Sequence, residues 1–292
     1  MPVPFLGNRA TLDSSKGRLK EWVLEMRIVT KDPKYTTTRR KEDDMSDLSG
    51  ETTVVVGASR GLGRGIATAF AAAGGPVVAV SRTAAEFPEP ANGAGTIQPE
   101  VADAGDATVA GSLLDRYEPQ AVILVAGASP HMRPLQQQTW ETFSVNWQTD
   151  VRIAFHWLRE ALLKPLRPGS RVVVISSGAA LNGSPLSGGY AGAKATQRFI
   201  TGYAQDEAKR AGLDITFTAV LPRFAPLTDV GRPAVQAYAA RAGQSVENFL
   251  AQAGPLVTPE IAGTAMVELV RADAATIAPG YLLTGAGLQK LP

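Results

Sequence analysis

The chain has 292 residues, 45% hydrophobic and 19% charged, a globular balance that suits one large α/β domain or two small ones. It contains no Cys, which excludes disulfides, Cys–zinc sites and thiol nucleophiles. Ten of its 29 Lys/Arg and seven of its 27 Asp/Glu fall in residues 1–45, so that segment carries +3 and the remainder −1, without the basic excess that a nucleic-acid backbone selects.

Residues 1–45 differ from the rest and read as an N-terminal extension, with the globular pattern filling 46–292. Within the extension, Leu19, Trp22, Val23 and Met26 fall at helical spacing. The surrounding Thr, Lys and Arg runs favour a largely disordered segment over a docking helix for a partner. No secretory core is evident in residues 1–15, and no apolar run approaches the ~18 residues of a membrane span. A cytoplasmic protein without membrane or nucleic-acid partners is expected.

From Thr52 onward, short apolar runs alternate with longer helical patterns. Thr52–Val56, Pro76–Ser81, Thr96–Val101, Ala121–Val125, Arg171–Ile175, Ile215–Leu221 and Tyr281–Thr284 read as strands. Leu62–Ala73, Ala107–Tyr117, Thr139–Leu163, Gly192–Ala211 and Pro259–Val270 read as helices. The β-branched runs are continuous rather than alternating, as in strands buried on both faces. Strand–helix alternation of this kind predicts a Rossmann-type, doubly wound parallel sheet with helices on both sides.

The first strand runs straight into Gly57–Ala58–Ser59–Arg60–Gly61–Leu62–Gly63 and then a helix. Such a turn lets backbone approach a pyrophosphate at a helix N-terminus. The second strand ends in Arg82, where an NAD site would usually carry Asp or Glu. Arg60 and Arg82 together suit the 2′-phosphate of NADP(H), which a guanidinium grips bidentately; the alternative is that both are surface charges.

The Arg171–Ile175 strand ends at Ser176–Ser177, and Tyr190 and Lys194 follow at i and i+4. On one helix face the Lys194 cation stabilises a Tyr190 phenolate, turning a poor base into a usable proton donor and acceptor. Ser177, at the strand end, can hydrogen-bond a substrate oxygen.

Taken together, the glycine turn (Gly57, Gly61, Gly63), Ser177, Tyr190, Lys194 and Asn146 resemble the motifs of the short-chain dehydrogenase/reductase family, over roughly Ser49 to the C-terminus. The resemblance implies about seven strands. It also implies hydride transfer between NADP(H) and a small carbonyl or alcohol, with Tyr190 handling the proton. Lys194 would bind the nicotinamide ribose and Asn146 would hold a water linking Lys194 to solvent. Ser59, Leu62, Ala126, Gly127 and Pro222 would line the cofactor, and Glu100–Val101 would stand where an Asp–Val pair meets the adenine. Pairing through two long helices into a homodimer or homotetramer is expected. Departures are Val56 for Thr, Leu124–Val125 for Asn–Asn, Glu100 for Asp, Arg223 for Gly and a changed Gly285–Ala286–Gly287 ending.

With two His and no Cys, a zinc site is not expected. His131 reads as a loop residue and His156 as a packed helix residue, while Trp140, Trp147 and Trp157 read as core or subunit interface. His131–Met132 and Leu181–Asn182 are expected to line the substrate pocket, and Arg223–Pro255 to form its lid. A carbonyl reductase is the main expectation. The alternative is a nucleotide-binding regulatory protein, which would not need Ser177, Tyr190, Lys194 and Asn146 together.

Overall fold

A strand buried on both faces must offer apolar side chains to two layers at once. β1 (Thr53–Val56) does so with consecutive valines: Val55 enters one core, Val54 and Val56 the other, all without solvent exposure. The computed structural model describes residues 48–88 and 95–292. The expectations for the extension, including the Leu19–Met26 helix, lie outside the described residues.

The remaining strands are β2 (Val77–Ser81), β3 (Ile97–Val101), β4 (Ala121–Leu124), β5 (Ser170–Ile175), β6 (Ile215–Pro222), β7 (Gly280–Thr284) and β8 (Gly287–Lys290). They form one sheet in the order β3-β2-β1-β4-β5-β6-β7-β8, parallel except for the antiparallel β7–β8 pair. In register, Val54 stands between Val78 and Val122. β3 lies at the edge, where Pro99 costs no ladder hydrogen bond on its open side. The chain runs outward from β1 to β3 and returns to β4. That reversal opens a crevice at the carboxyl ends of β1 and β4, where ligands of open α/β sheets bind.

Helices α1 (Gly61–Ala72) and α9 (Pro259–Arg271) cover one face, packing Ile66 and Phe70 with Met266 and Leu269. On the other face lie α2 (Ala107–Tyr117), α4 (Arg152–Leu163) and α6 (Gly188–Ala211), with Leu113, Trp157 and Ala204 in the core. Start signals are plain in places: Thr258 accepts the Ile261 N–H at 3.2 Å and Pro259 opens α9.

The expected Thr139–Leu163 helix is three segments: α3 (Trp140–Asn146), a π-helical turn (Trp147–Val151) and α4. α6 begins at Gly188, so Tyr190 sits in its first turn. Short α5 (Ala179–Asn182), α7 (Gly231–Arg241), α8 (Val246–Gln252) and β8 were not expected. α7 buries only Val235 and Ala239, and α8 nothing, so neither carries the apolar stripe that marks a helix. Among the described residues no helix is long and apolar enough to cross a membrane.

Candidate active site

The turn from β1 to α1 leaves the helix without a side-chain cap or an acid in its first turn. The first N–H groups and the positive end of the helix dipole are therefore available to an anion. Gly57 is tied down by its N–H, which donates to Val80 O at 2.8 Å. Gly63 is required by the turn itself: a Cβ there would stand 2.0 Å from Gly57 O. That constraint is internal to the turn and not a matter of phosphate clearance alone.

One cleft of about 830 Å³ is lined by Gly57, Ser59, Arg60, Gly61, Leu62, Gly63, Arg82, Ala126, Gly127, Ser177, Tyr190, Lys194 and Pro222. Residues from the ends of five parallel strands thus converge on one place. The uncapped α1 terminus, the glycines and the two arginines fit a phosphorylated dinucleotide. Arg60 is meanwhile paired with Asp229, Nη1 to Oδ2 at 2.9 Å.

Glu100 and Val101, expected at the adenine, are not among the residues that line this cleft. Edge strand β3 directs Glu100 onto the last turn of α2, where its carboxylate accepts the Tyr117 hydroxyl at 2.6 Å and meets Arg116 at 3.2 Å. That hydrogen bond, with burial, holds the Tyr117 phenol above its ordinary range. Val101 is 58% exposed. Asp103, past the end of the strand, does line the cleft, and its Oδ1 accepts the Gly105 N–H at 2.9 Å.

α6 is tied to the end of β5 by Ser176 Oγ, which donates to Lys194 O at 2.7 Å. Ser177, partly exposed, accepts the Ala179 N–H at 3.2 Å through its Oγ. Lys194 Nζ lies 5.5 Å from the Tyr190 ring centroid. It donates to Gln197 Oε1 at 3.0 Å and Ile175 O at 3.2 Å, and meets Asp150 Oδ2 at 3.2 Å. Asn146 is buried behind the cleft wall. Its Nδ2 donates to Ala128 O at 2.7 Å and Asp150 Oδ1 at 3.3 Å, while its Oδ1 has no protein partner.

Asp150 and Gln197 escaped the sequence reading, although Asp150 lies at i+4 from Asn146 and Gln197 at i+3 from Lys194, spacings that share a helix face. On the substrate side, Met132, Leu181, Asn182, Arg223, Phe224 and Tyr238 line the cleft, whereas His131 does not. Phe224, Tyr238 and Phe249 form an aromatic cluster with centroids 5.5–6.3 Å apart, and the Tyr238 hydroxyl is hydrogen-bonded to Ser184. His156 is partly buried with its ring edge-on to Phe155. Trp157 is core, its Nε1 donating to Ala104 O at 3.2 Å, whereas Trp140 is 71% exposed.

Comparison with known proteins points the same way. The sequence model of the family described as short chain dehydrogenase matches residues 51–239. A hydroxynaphthalene reductase-like protein of Metarhizium majus is 30% identical over 198 residues, covering 62% of this chain and 70% of that protein. The L-xylulose reductase of Homo sapiens is 31% identical over 105 residues, 36% of this chain and 43% of that one. A short-chain dehydrogenase/reductase of Mycobacterium ulcerans superposes with a TM-score of 0.67 at 22% identity, covering 83% of this chain and 93% of that chain. A short chain dehydrogenase of Mycobacterium avium gives 0.65 at 20% identity, covering 84% and 86%.

Proposed function

The chain belongs to the short-chain dehydrogenase family of NAD(P)-using oxidoreductases, and from that premise we propose that it is an NADP(H)-dependent reductase of a small carbonyl compound. The observation that carries this is the convergence of Ser177, Tyr190 and Lys194 on the cleft that also holds the uncapped end of α1.

When bound, the nicotinamide gives or takes the hydride. Tyr190 delivers the proton to the substrate oxygen in reduction and removes it in oxidation. Ser177 hydrogen-bonds that oxygen as charge develops on it. In this reading the Lys194 ammonium acts on the Tyr190 phenol as a nearby positive charge and would bind a ribose hydroxyl of the cofactor. The unpartnered Oδ1 of Asn146 supports the reading that it holds a water of a proton relay. Arg82, with no acid beside it at the end of β2, supports NADP(H) over NAD(H). The apolar wall of Met132, Leu181 and Phe224 suits the hydrocarbon part of the substrate.

Residues 46–292 constitute the catalytic domain and 1–45 an extension to it. Exposed Phe155 on α4 and Phe199 and Tyr203 on α6 support pairing of two copies through these helices. The absence of Cys is consistent with a cytoplasmic setting.

The test is titration with NADPH and NADH, read by nicotinamide fluorescence, followed by NADPH oxidation with a panel of ketones and aldehydes. Tight NADPH binding, weaker NADH binding and turnover of at least one carbonyl support the reading. Binding without any turnover would favour a regulatory nucleotide-binding protein, and binding of neither nucleotide would sink both.

A further inference from the structure

A buried charge persists only where another group opposes it. Lys194 is 4% exposed and Asp150 is fully buried. Lys194 Nζ donates to Gln197 Oε1 and Ile175 O, and Asp150 Oδ2, which has no hydrogen-bond partner among the described residues, faces it in an ion pair of 3.2 Å. Asp150 is held in turn. Its Oδ1 accepts the Ala128 N–H at 2.8 Å and Asn146 Nδ2 at 3.3 Å, and its backbone carbonyl accepts Gln197 Nε2 at 2.9 Å. Gly127 leaves the space for this carboxylate, since a Cβ there would stand 2.7 Å from Asp150 Oδ2. The π-helical turn that contains Asp150 is the kind of irregularity found at functional sites.

Stability does not explain the arrangement. A well-packed apolar pair of similar volume would serve the fold as well or better. The pair instead sits on the wall of the cleft, beside Tyr190.

We propose that Asp150 is a positioning residue of the reaction: with Gln197 it anchors the Lys194 ammonium beside Tyr190 and opposes its charge. This rests on the reading that Tyr190 and Lys194 act on a carbonyl substrate. Burial pushes Lys194 towards the neutral amine, and Asp150, seconded by Tyr190, more than reverses that. Among the described residues, those two are the ionisable groups acting on this ammonium. Residues 125–130 after β4, Ser176 and Ser177 after β5, and Asn146 of α3 supply no charge, and Arg223 stands beside Gly178 on the same cleft.

With Asp150 neutralised, the ammonium is left in a buried place without a counter-charge and surrenders its proton at lower pH. Loss of that cation from beside Tyr190 moves the alkaline limb of the pH–rate profile downward.

The experiment compares kcat/KM against pH, with NADPH and a reducible ketone, for the wild type, Asp150→Asn and Asp150→Glu. The limb of Asp150→Asn should fall by about one pH unit or more, while Asp150→Glu, which keeps the charge, should hold the wild-type limb. An unmoved limb in a folded Asp150→Asn protein overturns the proposal. Should that variant not fold, the side-chain 15N resonance of Lys194 in the wild type, assigned by its loss in Lys194→Arg, carries the test. It should titrate above the other lysines, and titration at or below them overturns the proposal. This second measurement needs no turnover, so a wild type inactive on every carbonyl would remove the functional reading while the role of Asp150 towards Lys194 is still decided.

Discussion

Arg60 in the glycine turn and Asp229 in the loop after β6 form an ion pair of 2.9 Å across the mouth of the cleft, their side chains 70% and 52% exposed. The guanidinium proposed for a cofactor phosphate is therefore already engaged by a carboxylate of the protein. Asp229→Asn should free Arg60 and remove a negative charge from the site. NADPH should then bind roughly two- to fivefold more tightly, the modest gain an exposed pair permits. Fluorescence titration at low salt reads it, and the gain should shrink as salt is added.

Among the described residues Arg82, at the end of β2, forms no such ion pair. If it grips the 2′-phosphate, Arg82→Ala should weaken NADPH binding roughly ten- to hundredfold, the range for a lost hydrogen bond to a charged group. NADH, which lacks that phosphate, should be bound within about twofold of the wild type. Equal losses for the two nucleotides would make Arg82 a general surface charge.

Tyr190→Phe removes one hydroxyl at the cleft wall and leaves the ring beside Lys194. Turnover should drop on the order of 10²- to 10⁴-fold, while NADPH binding and the melting temperature stay near wild type. Undiminished turnover would take the proton transfer away from this residue.

The Lys194–Asp150 pair also makes stability depend on pH. Burial favours the neutral amine, but Asp150 outweighs it and holds Lys194 above its usual value of 10.5. The folded protein thus binds this proton more tightly than the unfolded chain does. The contribution is fully present below the ordinary lysine range and is lost as pH rises through the higher folded value. Melting temperature should show a loss above that range that is smaller in the double variant Asp150→Asn/Lys194→Met, which lacks both charges.

The parallel sheet, the nucleotide turn and the Tyr190–Lys194 pair were written locally, and so the sequence determined them. Val54, Val55 and Val56 form a β-branched run that suits a strand buried on both faces, and a glycine turn followed directly by a helix needs no distant information. Elements without a local signature were not readable. α7 and α8 lack an apolar stripe because they bury little, Val235 and Ala239 in the one and nothing in the other. β8 exists because β7 offers it an edge, pairing Leu283 with Leu288.

Only the tertiary structure decided which acids matter. Glu100 and Asp103 are near neighbours in the chain, but the strand turns one onto α2 and the turn after it brings the other to the cleft. Asp150 carries no sequence mark of its proximity to Lys194, because the contact spans two helices and arises from their packing against the end of β5. Periodicity reports which face of one element is apolar. The meeting of charges from separate elements depends on how those faces are brought together, and that is set by the packed core.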